Sequence, residues 1–340
     1  MVVHGPILRS EFALVGCGKR TNTEHYDEPF TMEKFPADLM KERSNVEFHS
    51  YATGRQNIAW LDLKLNLARL PNIPRMAFET FMSLFLDRFT PPRQYTDAIV
   101  YPFDGNEKKF VLSQRYEGSD EGMAKSPSSV GSSSYDGFVF AIVHKDAMRR
   151  LRDERYDISL TYTKDHAKLP DWTTVMSEAA EITDTMLTPD LIAAVERAGD
   201  AFHYLIITDQ PIDRPTRISE ASPRKRLYLR TAAPFNDDYS ATIPLWAQLL
   251  RLPDRLVQEA HFRPEVLKKI SHTREAEVKK LRKVGDEEAE EERKKQAEKV
   301  KKEERDRKTR GMTAEEQRKF LERESERKRK KDEKKMTRKG

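Results

Sequence analysis

The clearest period along the chain is two. In Trp60-Leu61-Asp62-Leu63-Lys64-Leu65-Asn66-Leu67, leucine alternates with polar partners. A helix would scatter those leucines around its circumference, so the spacing predicts a half-buried strand. A second strand over 46–53 precedes it, and Gly54-Arg55-Gln56 reads as a hairpin turn pairing the two antiparallel. Further β runs lie at 95–103, 109–112, 138–143, 204–208 and 226–231.

Helical spacing alternates with these runs. Pro74 opens a helix over 76–89 that must stop before Pro91-Pro92. Its apolar residues lie on nearly every side, which leaves two readings. Either the helix is buried on several faces, or its phenylalanine-rich face, Phe78, Phe81, Met82, Phe85 and Phe89, rests on a lipid headgroup layer or a membrane partner. A helix over 145–155 turns Ala147, Met148 and Leu151 inward, and a second helical region starts near Leu169-Pro170-Asp171 and continues through Met176 and Ala180. Thr188 caps a helix over 189–198, with Pro189 at its first position and Gly199 as its stop. After Thr242 a last apolar helix runs through Trp246 and Leu250 to Val257, interrupted or kinked at Pro253. Hairpins with segregated helices predict an α+β fold over 1–263, an antiparallel sheet or sheets with packed helices. Residues 117–137, rich in Ser and Gly, are expected to form a flexible loop, with Ser126-Pro127 as a phosphorylation signal.

Charge changes the picture beyond residue 264. Of the 340 residues 35% are charged, and 265–340 hold 29 Lys and Arg against 20 Asp and Glu, a net of +9 that leaves 1–264 at −4. Glu291 with Lys295, Glu298 with Lys302 and Glu304 with Lys308 stand four apart with the acid first, a spacing that supports an exposed helix. The pattern predicts a long, charged, coiled-coil-like helical extension over 264–310 and a basic terminal helix over 311–340. Gly311 with the capping spacing Thr313 to Glu316 marks the joint. No a/d seam survives past Val284, so self-association is not expected. Residues 318–339 carry 12 basic and 5 acidic side chains. The candidate polyanion-binding residues are Arg318, Lys319, Arg323, Arg327, Lys328, Arg329, Lys330, Lys331, Lys334, Lys335, Arg338 and Lys339. Such a rod suits RNA phosphate, a solvated tail explains the same composition, and an anionic lipid surface is a third option.

Candidate chemistry is sparse. The eight histidines show no ligand spacing, and the single Cys17 cannot make an internal disulfide. Gly16-Cys17-Gly18-Lys19-Arg20 fails as a phosphate loop, because Ala13 stands where a glycine is needed and Arg20 where Ser or Thr would hold magnesium. Glu178 with Glu181 and Asp237-Asp238 read as surface charge. The expectation is a protein without catalytic residues, metal or cofactor. No run of 18 uncharged apolar residues occurs, and the N-terminal residues lack the apolar stretch of a signal peptide.

Several stretches resemble a known family in order along nearly the whole chain. They are Ser10-Glu11-Phe12-Ala13-Leu14-Val15-Gly16, Tyr51-Ala52-Thr53-Gly54-Arg55, Phe138-Val139-Phe140-Ala141, Leu169-Pro170-Asp171 through Ser177-Glu178, Glu181, Thr183-Asp184 and Met186, then Asp209-Gln210. The sequence is similar to calumin, the coiled-coil domain-containing protein forty-seven of the endoplasmic reticulum. The resemblance implies the cytosolic part of a fungal-type relative, held to the membrane by a transmembrane helix outside this sequence. It implies a scaffold and intramembrane chaperone subunit of the PAT complex. That subunit pairs with Asterix, joins the multipass translocon and reaches the ribosome near the tunnel exit with its C-terminal helices. The family's calcium binding belongs to a luminal acidic region and is not carried onto these residues. Two rivals stay open: an RNA-binding protein unrelated to the membrane, and an enzyme whose site only a fold would reveal.

Overall fold

A computed structural model describes residues 3–16, 39–67, 73–83, 94–103, 135–233, 239–310, 318, 322–323, 325–326 and 329–330. The chain forms two compact units, Met1–Val278 and Lys279–Gly340. The expected strand at 109–112, most of the 117–137 loop, residues 84–89 and the joint at 311–316 lie outside the described residues.

The first unit is built on ten described strands: β1 (Leu14–Val15), β2 (Lys41–Ser44), β3 (Glu47–Thr53), β4 (Ile58–Asn66), β5 (Tyr95–Pro102), β6 (Phe140–His144), β7 (Tyr162–Lys164), β8 (Thr173–Ser177), β9 (Phe202–Thr208) and β10 (Arg226–Ala232). They make one sheet in the order β1-β3-β4-β5-β10-β9-β6-β8-β7, with β2 also on β3. Every described pairing is antiparallel. The described helices are α1 (Gly5–Glu11), α2 (Ile73–Ser83), α3 (Lys145–Glu154), α4 (Tyr156–Ser159), α5 (Ala180–Met186), α6 (Pro189–Ala198), α7 (Ile243–Glu259) and α8 (Pro264–Arg310), the last running from the first unit into the second. The α+β class expected from hairpins and segregated helices is the one observed.

Alternation along the strands sorts side chains onto two faces. Leu61, Leu63, Ala98, Val100, Leu205, Ile207, Leu227 and Leu229 face the larger core, where α1, α5, α6, α7 and the start of α8 cover them. On the opposite face, α3 and α4 bring Leu151 and Ile158 onto Ala141, Val143, Met176 and Ile206. Within this second layer Arg155 and Asp157 form a buried two-pronged pair, Nε to Oδ1 at 3.1 Å and Nη2 to Oδ2 at 2.7 Å, with the guanidinium 4.4 Å from the centre of the Tyr228 ring.

The β3–β4 hairpin forms where expected, and its glycine is required. Gly54 has φ +91°, and a Cβ there would lie 2.7 Å from that of Ala13. Asn57 takes the other left-handed position at φ 63° and donates to Asp254 Oδ1 at 2.9 Å, which ties the turn to α7. The α6 cap is likewise as expected: Leu191 N–H donates to Thr188 Oγ1 at 3.1 Å, Pro189 occupies the first turn and Gly199 has φ +50°. At the N-terminus the His4 ring packs 4.7 Å from Trp246 and shares a 3.1 Å hydrogen bond with Thr242 Oγ1. Burial pushes this imidazole down to about 3, so it is neutral.

Three expectations are corrected. The helical region expected from residue 169 begins instead as β8, a buried central strand, and only α5 is helical. Thr173, Thr174 and Val175 are β-branched and β8 is paired on both sides, by β6 and β7, so lattice position overrides the helical reading. The interruption at Pro253 is absent, since α7 runs on from Ile243 to Glu259; burial of Leu252, Pro253 and Leu256 compensates for the lost hydrogen bond. The loop expectation fails at its described end, 135–137: Tyr135 is buried, and Asp136 donates its N–H to Ala260 O at 3.1 Å and accepts from Phe262 N–H at 2.9 Å.

Because one hydroxyl serves the first turn of a helix whose inner face is core, Thr188→Ala should lower unfolding stability by about 1 kcal/mol. The drop is measured as a shift in urea midpoint at unchanged m-value, with Thr188→Ser retaining most of the stability.

Candidate interaction surfaces and the helix latch

α8 leaves the last apolar helix through Phe262, whose ring meets Phe138 edge-on at 5.2 Å. Its first turns then place Val266, Leu267 and Ile270 on the core. One turn beyond Ile270, Arg274 enters a socket of two buried carboxylates. Its Nη1 donates to Asp209 Oδ2 at 2.5 Å and its Nη2 to Asp209 Oδ1 at 2.9 Å, with Nη2 also 3.3 Å from Glu178 Oε2. Glu178 Oε2 accepts the Val139 N–H at 2.8 Å as well. Asp209 and Glu178 side chains are 3% and 5% exposed, too little for water to screen them. Gly137 makes room for the pair, since a Cβ there would stand 2.3 Å from Asp209 Oδ2.

The socket holds two acids for one guanidinium. Burial pushes the Glu178 carboxyl up to about 7, against the pull of Arg274 and of the Val139 N–H. Among the described residues its Oε1 has no hydrogen-bond partner, nor has Arg274 Nε. The expectation that Glu178 and Glu181 are surface charge is therefore corrected for Glu178. Glu181, on α5, pairs with Arg263 at 3.3 Å nearer the surface. What singles out Glu178 is its place just after the buried run of β8. Asp209 follows β9 in the same way, and Arg274 follows Ile270 by four on one helix face.

The sequence-selected residues fall in two places. On α2, Phe78 and Phe81 are 57% and 58% exposed and Met82 is half-buried; 78, 81 and 82 share one helix face. For these two phenylalanines the core-burial reading is excluded, while Phe85 and Phe89 lie outside the described residues. Of the basic set, Arg318, Arg323, Arg329 and Lys330 are exposed helical residues. Lys319, Arg327, Lys328, Lys331, Lys334, Lys335, Arg338 and Lys339 lie outside the described residues.

The raised Glu178 carboxyl gives the latch a pH signature. A folded-state value above the usual carboxylate range means that the native protein holds a proton the unfolded chain has released. Its contribution is thus present at low pH and lost as pH rises from about 4.5 through about 7. Glu178→Gln should match the parent near pH 5 and become the more stable of the two between pH 5 and 8, as read from urea midpoints. A constant difference across that range would contradict the assignment.

Set beside known proteins, the chain matches the family described as PAT complex subunit CCDC47 over residues 1–331. It is 28% identical over 272 residues to a UPF0674 endoplasmic reticulum membrane protein of Schizosaccharomyces pombe, covering 77% of this chain and 61% of that protein. To a second UPF0674 endoplasmic reticulum membrane protein, from Saccharomyces cerevisiae, it is 25% identical over 202 residues, covering 58% and 47%. The chain thus spans about half to three fifths of the curated relatives it matches. Among the described residues no helix is long and apolar enough to cross a membrane. A match that runs through the sheet, the socket residues and most of the charged segment leaves one conclusion: the chain belongs to the PAT complex subunit CCDC47 family.

Proposed function

We propose that this protein is a non-enzymatic scaffold and chaperone subunit at the cytosolic face of the endoplasmic reticulum membrane. In this reading it works with Asterix and other translocon subunits on multipass membrane proteins. A transmembrane helix outside the present sequence anchors it, and its basic C-terminal segment grips the ribosome. The carrying observation is the net +7 of residues 318–339, whose described cations Arg318, Arg323, Arg329 and Lys330 all stand on exposed helical positions. Membership of the CCDC47 family and the membrane-protein names of the yeast relatives supply the compartment.

The division of labour follows from charge and burial. A mildly acidic body is not drawn to ribosomal RNA, whereas each phosphate neutralised by the terminal cations releases condensed counterions and favours attachment. The socket fixes how the first turns of α8 sit on the body, because a two-pronged arginine pair allows one orientation where a bare apolar contact allows several. The exposed Phe78 and Phe81 supply a second contact, with the lipid headgroup layer or an apolar translocon partner. Calcium has no role at these residues in this reading.

Replacing Arg327, Lys328, Arg329, Lys330, Lys331, Lys334 and Lys335 by Glu should abolish co-sedimentation with ribosomes at moderate salt. In the parent protein, binding should fall steeply as salt rises, as expected when several phosphates are contacted. Unchanged sedimentation of the charge-reversed chain would refute the assignment.

A further inference from the structure

Among the described residues, the outer face of the sheet is covered over β6, β8 and β9 by α3 and α4, while no described helix covers it over β3, β4 and most of β5. The open part has an unusual centre. Asp62 projects from the middle of β4, with Tyr51 of β3 directly opposite on one side and Ile99 of β5 on the other. Two residues along the strand on the same face, Trp60 stands opposite Tyr101, and their rings stack at 4.5 Å and 23°. Trp60 is 40% exposed and Tyr51 37%, although both are large enough for a core to accept.

Asp62 is half-buried, and among the described residues it accepts no hydrogen bond and forms no ion pair. The two basic side chains near it, Lys64 and His49, both contact Glu47. Lys64 Nζ lies 2.7 Å and His49 Nε2 3.0 Å from Glu47 Oε1. Desolvation raises the Asp62 carboxyl, which marks a charge that the fold itself leaves under-compensated. Elsewhere on the same sheet the fold completes such a site. Asp97 takes Arg230 through bonds of 2.6 and 2.8 Å, and that guanidinium lies over the Tyr95 ring at 4.1 Å. Asp157 takes Arg155, which stacks on Tyr228. In both, a carboxylate beside tyrosine rings is filled by an arginine. Around Asp62 the carboxylate and the aromatic rings are present, and among the described residues no arginine is paired with it; Arg226 lies 5.5 Å from the centre of the Tyr101 ring.

We infer that the open face of β3, β4 and β5 is a docking surface for an arginine- or lysine-bearing segment of a partner protein, with one cation seated on Asp62 against Trp60 and Tyr51. Charge complementarity selects the occupant. A carboxylate flanked by π faces attracts a cation through both its charge and the ring quadrupoles, and a planar guanidinium satisfies both at once. Trp, Tyr and Arg are also the residues that dominate binding at protein interfaces; this face supplies the Trp and Tyr, and the partner would supply the Arg. A lipid surface fits poorly, since an anionic headgroup layer would be repelled by Asp62. This surface is independent of the terminal basic segment and of α2.

The test uses the full chain and a fluorescein-labelled dodecapeptide repeating Ser-Gly-Arg, followed by fluorescence anisotropy, with a peptide repeating Ser-Gly-Glu as the charge control. Asp62→Asn, which keeps shape and removes charge, should weaken arginine-peptide binding about tenfold. Trp60→Ala should do the same, its fold checked by circular dichroism, while Glu196→Gln, at an exposed acid on α6, should leave binding unchanged. Arginine-peptide binding by Asp62→Asn within twofold of the parent, or no binding by the parent, would overturn the inference. So would a concentration-dependent dimer that Asp62→Asn abolishes, because that result gives the face to a second copy of the chain.

Discussion

Every central strand of the sheet has to satisfy two different layers at once, and that constraint decides the rest of the first unit. Strands β6, β8 and β9 have helices on both faces; β6 and β9 read as nearly unbroken apolar runs, and β8 is buried throughout with Thr and Ser among its residues. Among the described residues, strands β3, β4 and β5 have helices on one face only and alternate, with leucine, alanine and valine inward and charged or aromatic residues outward. The graded cover turns one sheet into a rigid platform on one side and a readable surface on the other.

Polar groups set orientation on this platform where apolar contact alone would not. Val266, Leu267 and Ile270 give α8 a reason to dock, but the Arg274 socket gives it one way to do so. Burying two carboxylates for one guanidinium contributes little net stability, and the raised Glu178 carboxyl measures that cost. Breaking the pair is another matter, because it would leave Asp209 buried and unpaired. In the reading proposed above, this is how a charged helix that cannot build a core of its own acquires a defined start.

Much of this was legible in residue order, for identifiable reasons. The β3–β4 hairpin, the capped helix α6 and the α+β class follow from local signals: a period of two, a Thr-Pro start with a Gly stop, and hairpin spacing. The run at 173–177 misled because a short buried stretch fits helix and strand alike, and its neighbours β6 and β7 are brought to it only by the fold. Glu178 and Asp209 were hidden for the same reason. Each is an acid beside an apolar strand, and its partner Arg274 lies 96 and 65 residues away, among many arginines that look alike in sequence. Asp62 was visible as a polar member of an alternating strand, but not as the one whose neighbouring basic side chains, Lys64 and His49, contact Glu47 instead.

The central claim is that the body fastens the first turns of α8 while the basic segment beyond is reserved for a phosphate-rich particle. Hydrogen–deuterium exchange on the full chain, with and without ribosomes, tests both halves together. The account predicts that 264–278 are protected in the free protein and unchanged by ribosomes, while 318–339 gain protection only when ribosomes are added. Exchange in 318–339 that ribosomes do not alter, or 264–278 exchanging as fast as an isolated peptide, would contradict it.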